Sequence, residues 1–167
     1  MSPLALVTGA AHRLGKSFAL KLAHLGYDIV LHYHSADDAA LQTKAEIESL
    51  KRSVVLAQAD LTDPSQISTL LANIKSLDVL VNSAAFMPSG NVNALSLENW
   101  DTALDLNLRA PFLLAQEASK KMTNGGSIIN ITDIGAQKAW SRYPSYTVSK
   151  AALESLTKIL ARALAPK

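Results

Sequence analysis

Two side chains in this sequence could act together as an acid. Tyr146 and Lys150 stand four residues apart in Tyr146-Thr-Val-Ser-Lys150, a spacing that puts them on one face of a helix. An ammonium near a phenol favours the phenolate and lowers a pKa that starts near 10. A drop of about two to three units is worth roughly 3–4 kcal/mol between the two protonation states, and it brings the phenol into the working range of a general acid. Asp133, closing the run Ser127-Ile-Ile-Asn-Ile-Thr-Asp133, could stand beside them. Taken alone, such a pair is an ordinary feature of helix surfaces. Its meaning depends on the elements that position it.

Those elements alternate. The β-branched run from Ser127 suits a strand buried on both faces. Val148, Ala151, Ala152, Leu156, Ile159 and Leu160 fall near a helical period, which predicts a helix from Tyr146 to Leu164. Upstream, short apolar runs at Leu4–Val7, Asp28–Tyr33, Val54–Gln58 and Leu77–Val81 read as strands. Between them, Leu14–Leu25 reads as an amphipathic helix closed by Gly26, Ala36–Leu50 as a second, and a third opens at Pro64 and ends near Lys75. Two further helical stretches, Ser96–Leu104 and Leu106–Met122, precede the break at Asn124-Gly-Gly126. This order predicts an α/β domain: a Rossmann-like, doubly wound parallel sheet with helices on both faces.

Composition narrows the function classes. The 167 residues suit a single domain, with 49% hydrophobic and 18% charged residues giving material for a core. Lys+Arg 16 against Asp+Glu 14 leaves a net charge of +2, too balanced to argue for nucleic acid or a membrane surface. Without cysteine there is no disulfide framework and no thiolate nucleophile. The start, Met1-Ser-Pro-Leu-Ala-Leu-Val-Thr-Gly, lacks the features of a signal peptide, and no apolar run reaches membrane-span length. The expected location is cytoplasmic.

The connection after the first strand reads Thr8-Gly9-Ala-Ala-His12-Arg13-Leu14-Gly15. A glycine-containing loop between a buried strand and a helix lets the backbone approach a pyrophosphate and aims free N–H groups at it. Arg13 stands where a central glycine is expected, and a cation there could contact phosphate. Read by itself His12 is an exposed loop residue; by position it joins Gly9, Arg13 and Leu14 as a cofactor-binding candidate. After the second strand, the usual place for an acid on the adenosine ribose carries His32-Tyr33-His34-Ser35. A carboxylate would repel a 2′-phosphate, whereas His34 and Ser35 can donate to one, so NADP(H) is favoured over NAD. The His-x-His pair has no third ligand at suitable spacing, so no metal site is expected.

Thr8-Gly9…Gly15, Asp60-Leu61, Asn82-Ser83-Ala84-Ala85, Asn107 and Tyr146-x-x-x-Lys150 occur in order along the chain. In this the sequence resembles the short-chain dehydrogenase/reductase family. Within it, Thr8–Gly15, Leu31–Ser35 and Asp133, thirteen residues before Tyr146 where most members carry Ser, look most like the pteridine reductase branch. The resemblance implies that Tyr146 is the proton donor and that Lys150 lowers its pKa and hydrogen-bonds the nicotinamide ribose. It implies that Asn107 holds a local helix distortion and a relay water, that Asp60 contacts the adenine, and that Asn82, Ser83 and Ala84 line the cofactor. It also implies that Asp133 assists Tyr146 in protonating a pterin nitrogen. An ionised carboxylate opposes a developing alkoxide, which favours C=N over C=O as substrate.

Phe86, in the loop after the fourth strand, either stacks on the substrate ring or simply packs. Trp140 and Tyr143 either line the substrate side or meet a neighbouring subunit. Family members continue beyond such a final helix into further strands, so the sheet is expected to lack its C-terminal strands. The two long helices predict a homotetramer by resemblance. The expected activity is NADPH-dependent reduction of a pterin or dihydrofolate-like small molecule. The alternatives are a carbonyl or 3-oxoacyl thioester reductase, and a non-catalytic nucleotide-binding or assembly module.

Overall fold

The computed structural model describes residues 2–165. Met1, Pro166 and Lys167, on which the readings of the two chain ends partly rest, lie outside the described residues. Five parallel strands form one sheet in the order β3-β2-β1-β4-β5. They are β1 (Leu4–Val7), β2 (Asp28–Tyr33), β3 (Val54–Gln58), β4 (Val79–Asn82) and β5 (Ser127–Asn130). The chain leaves β1 in one direction to lay down β2 and β3, then returns across β1 to lay down β4 and β5. The reversal leaves a crevice beyond the carboxyl ends of β1 and β4, the position where open α/β sheets bind ligands.

The period-2 alternation of strand side chains splits the core into two layers. Leu6, Val30 and Leu80 point to one face. There they meet Ile67, Leu70 and Leu71 of α3 (Pro64–Ala72) and Leu114 and Ala118 of α5 (Ala110–Ser119). Ala5, Val7, Ile29, Leu31, Val79 and Val81 point to the other, against Ala19 and Ala23 of α1 (Arg13–His24) and Ala40 and Ile47 of α2 (Asp37–Ser49). Helices on both faces leave β1 buried throughout its last three residues.

Several boundaries follow local chemistry. Asp63 caps α3 by accepting from Ser65 N–H at 2.8 Å, with Pro64 in the first turn where its missing N–H is harmless. The Ser65 bonds hold the Asp63 carboxyl below its usual range. Ser96 caps α4 (Leu97–Leu104) through Asn99 N–H at 3.2 Å.

Two expectations are corrected. The helices expected at Ser96–Leu104 and Leu106–Met122 are one continuous run, joined by a π-helical turn at Asp105–Arg109. β5 is not buried on both faces: Ile129 is 44% exposed, and among the described residues β5 pairs with β4 alone. An unanticipated short helix, α6 (Gly135–Lys138), lies between β5 and α7 (Pro144–Ala163).

The glycine loop meets the start of α1 at very short range. A Cβ on Gly15 would lie 2.2 Å from the Gly9 carbonyl oxygen, a backbone atom that cannot swing aside. Gly15→Ala is therefore expected to lower stability by about 1–3 kcal/mol through overpacking. The readout is a lower urea midpoint with an unchanged slope.

Candidate functional site

The crevice holds a cleft of about 630 Å³ that collects residues from four connections. Gly9 and His12 come from the loop after β1, Arg13 and Leu14 from the first turn of α1, and His34 and Ser35 from the turn after β2. Asp60 and Thr62 come from the loop after β3, and Ser83, Ala84 and Phe86 from the loop after β4. Gly9 has φ +64, and a Cβ there would lie 3.0 Å from the Ala84 Cα. Any side chain would fill the cradle between the two loops, so backbone alone faces the cleft here. Arg13 opens α1 at φ +51, which explains why glycine is expected at that position. The left-handed backbone costs an arginine of order 1 kcal/mol. Its guanidinium, like the ring of His12, is exposed at the cleft.

Thr8 joins the two loops. Its hydroxyl accepts from Ser83 N–H at 2.9 Å and Ala84 N–H at 3.0 Å, satisfying amides that the end of β4 leaves unpaired. Asp60 turns its carboxylate onto its own loop, accepting from the Thr62 N–H at 2.9 Å and hydroxyl at 2.8 Å. The bond to the Thr62 backbone is the main reason its carboxyl sits below the usual range.

Three of the expected cofactor-side residues also brace the scaffold, His32 and Leu61 while lining the cleft. His32 is 2% exposed, and both its ring nitrogens are taken by backbone groups, Gly9 N–H at 3.1 Å and Ala59 C=O at 3.0 Å. Leu61 is buried in the core layer beneath the cleft. The Asn82 side chain donates to Asn130 Oδ1 at 2.8 Å, and Asn130 donates in turn to the Thr157 hydroxyl at 2.9 Å. Asn82 therefore ties β4 to β5 and α7. Its own Oδ1 is buried without a partner.

From Phe86 a chain of bonds leads to Tyr146. Asn107, fully buried in the π-helical turn, accepts from Phe86 N–H and donates to Phe86 C=O, each at 2.8 Å. Its amide also donates to the Ser149 hydroxyl at 3.0 Å, and Ser149 donates to the Tyr146 carbonyl at 2.8 Å. The π-turn adds a residue to the helix and aims this amide inward.

Tyr146 and Lys150 share one face of α7, both buried, with the Lys150 nitrogen 5.8 Å from the tyrosine ring centre. The Tyr146 hydroxyl donates to Asp133 Oδ2 at 3.0 Å, while Asp133 Oδ1 accepts from Gly135 N–H at 2.7 Å. Lys150 donates to the Ile131 carbonyl at 2.6 Å.

This geometry corrects the expected acidity. Burial, and then the bond to Asp133, push the Tyr146 phenol well above its usual pKa. Burial brings the Lys150 amine down to about 8, opposed by Asp133. The lysine is aimed at the Ile131 carbonyl while the carboxylate touches the phenol, so Asp133 adds to the upward push of burial.

Sequence reasoning passed over Thr8 as an anchor, Ser149, Asn130 and Thr157. Two signals were available: a polar Asn130 inside an apolar run, and Ser149 one helical turn after Tyr146. Trp140 lies against Gly135, 2.9 Å from where a Cβ would be, and Asp133 Oδ1 lies 3.3 Å from the same point. It meets Tyr143 edge to face at 6.4 Å between ring centres. Among the described residues no group of three metal-ligating side chains gathers, and no helix is long and apolar enough to cross a membrane.

Comparison with known proteins agrees with this geometry. A family model described as enoyl-(acyl carrier protein) reductase matches residues 9–167. A short-chain type dehydrogenase/reductase of Picea abies is 34% identical over 175 residues, covering 96% of this chain and 65% of its own length. The 3-oxoacyl-[acyl-carrier-protein] reductase of Synechocystis is 34% identical over 170 residues, covering 98% and 69%. The crystal structure of a short chain dehydrogenase from Burkholderia cenocepacia in complex with NADP superposes with a TM-score of 0.94 at 32% identity, covering 98% of this chain and 69% of that one. The chain thus spans about two thirds of the length of the curated relatives it matches. From the glycine loop through Asn107 to Tyr146 and Lys150, the chain belongs to the short-chain dehydrogenase/reductase family.

Proposed function

We propose that this chain forms the cofactor and proton-transfer part of an NADPH-dependent reductase acting on a C=N bond of a pterin or dihydrofolate-like ring. The observation that carries the substrate reading is the 3.0 Å bond from the Tyr146 hydroxyl to Asp133. The residues present fit the cofactor. The cradle between Gly9 and Ala84 admits no side chain. The turn after β2 offers the exposed donors His34 and Ser35 to a 2′-phosphate, with no acid before Asp37. Arg13, from the first turn of α1, brings a cation to the same cleft.

NADPH held there by the glycine loop, Arg13, His34 and Ser35 would supply the hydride for the carbon of the substrate's double bond. Tyr146 supplies the proton to the nitrogen, Lys150 holds the ribose, and Phe86 packs beside the substrate ring. As hydride reaches the carbon, the nitrogen gains the electron pair of the double bond and becomes basic enough to take a proton from a phenol of reduced acidity. A ketone would develop an alkoxide beside the Asp133 carboxylate, which the site would repel. The enzyme is cytoplasmic and assembles as a homotetramer through α5 and α7, where Phe112, Val148 and Ile159 are exposed.

The rival reading, a carbonyl or 3-oxoacyl thioester reductase, is favoured by the name of the Synechocystis relative. Asp133→Ser separates the two. On the pterin reading it slows dihydrobiopterin reduction by at least about tenfold, one unit of log rate or 1.4 kcal/mol, and improves ketone reduction. The pterin reading fails if the wild type ignores dihydrobiopterin and dihydrofolate but reduces oxoacyl thioesters.

Tyr146→Phe is expected to bind NADPH normally, by cofactor fluorescence, and to lose turnover by about a thousandfold or more. Unchanged turnover would show that the phenol is not the acid. Lys150 yields a stability test. Its folded pKa is about 8 against 10.5 when free, so the folded protein binds fewer protons between those values. The wild type should therefore gain stability relative to Lys150→Met as the pH rises from 8 to 10.5. At neutral pH Lys150→Met is expected to be more stable by roughly 1–3 kcal/mol in urea unfolding, less what the orphaned Ile131 carbonyl costs, while binding NADPH more weakly.

A further inference from the structure

The glycine loop is held from behind as well as from the cleft side. Thr43 of α2, fully buried, donates to the Ala11 carbonyl at 2.8 Å. His32 does more. Its Nδ1 accepts from Gly9 N–H at 3.1 Å, so the ring proton sits on Nε2, which donates to the Ala59 carbonyl at 3.0 Å. The His32 carbonyl accepts from Ala10 N–H at 2.8 Å. One residue of β2 thereby ties the first turn of the loop to the end of β3.

We propose that His32 is a positioning residue for cofactor binding: its neutral Nε2–H form sets the Gly9 peptide against Ala84, in the conformation that receives the pyrophosphate. This rests on the NADP(H) reading above. Gly9 sits at φ +64 with its backbone in close approach to Ala84. A glycine peptide has alternatives nearby in conformation, and the ring nitrogen selects one by accepting its N–H. A proton on Nδ1 would turn that acceptor into a donor facing another donor, and the selection would be lost.

The surroundings keep the ring neutral. Burial brings its pKa down to about 4 from 6.5; the nearby charges of His34 and Asp60 act in opposite directions, lowering and raising it. Thr8 and Thr43, from the neighbouring β1 and α2, are uncharged. A folded pKa below the free value means that the His32 contribution is complete above pH 6.5 and is lost as the pH falls through 4.

The test measures NADPH and NADH affinity by cofactor fluorescence from about pH 4 to 8, with circular dichroism as the check on folding. It uses the wild type, His32→Leu and His32→Asn. Leucine has no acceptor. Asparagine can place an amide oxygen where Nδ1 stands and has no proton to gain. NADH, lacking the 2′-phosphate, separates ring titration from phosphate titration.

His32→Leu is expected to lose at least about tenfold in affinity for both cofactors at neutral pH. His32→Asn is expected to stay within about threefold there, and to keep binding NADH at acid pH where the wild type releases it. Wild-type affinity in His32→Leu would overturn the proposal, as would an NADH pH profile of His32→Asn that tracks the wild type. Should His32→Leu fail to fold, the pH comparison of His32→Asn with the wild type decides alone. A wild type that binds neither cofactor at neutral pH would sink the cofactor reading itself, an outcome distinct from a variant that binds normally.

Discussion

The site depends on one amide placed in one irregular turn. Asn107 meets the Phe86 backbone with both its donor and its acceptor and still reaches Ser149. Those three bonds join the loop after β4, the helix that follows it and the helix that carries Tyr146. A regular α-helix through 105–109 would turn this side chain away, because each residue advances the face by about 100°. The π-turn spends local helix geometry to fix the distance between the cofactor cleft and the acid. Leaving the same groups buried without partners would cost about 1–3 kcal/mol for each.

A second constraint works on the opposite side of the crevice. The glycine loop is hydrogen-bonded to β2, α2 and the loop after β4: Gly9 N–H donates to His32, Ala11 C=O accepts from Thr43, and the Thr8 hydroxyl accepts from Ser83 N–H. The cofactor end of the site is thus assembled from side chains that never need to touch a ligand. Binding there does not have to order the loop, so less of the interaction energy is consumed in arranging the receptor. The end around Tyr146 is assembled differently. Asp133 holds the phenol with one oxygen and the start of α6 with the other, so Tyr146 and the connector beside it are set by one carboxylate.

Much of this was legible in the sequence because it is local. Each strand is a short apolar run ended by a turn, and each layer of the core follows from alternation, so the doubly wound order could be read from spacing alone. The helical repeat put Tyr146 and Lys150 on one face correctly. It could not say where a flexible lysine ends, and the tip lies on the Ile131 carbonyl rather than beside the phenol. Nor could it show that Tyr146 would be buried, and held by Asp133, so that its pKa rises instead of falling. His32 and His34 carry the same side chain two residues apart, yet one is a buried brace and the other an exposed donor. β2 ends at Tyr33, so the alternation that would have put them on one side stops between them. The burial of β5 was misjudged for a related reason: a strand's neighbours are a property of the sheet, not of the strand's own composition.

The strand order also divides the molecule by compliance. β1 and β4 are flanked on both sides, and the loops that cradle the cofactor grow from their ends. Among the described residues β5 pairs with β4 alone, and three residues beyond it comes the carboxylate that holds the tyrosine. The loops of the cleft thus hang from the strands with the most neighbours, and Asp133 from the one with the fewest among the described residues. Amide exchange with solvent is expected to be slowest beneath the glycine loop, where β1 is buried between two paired strands.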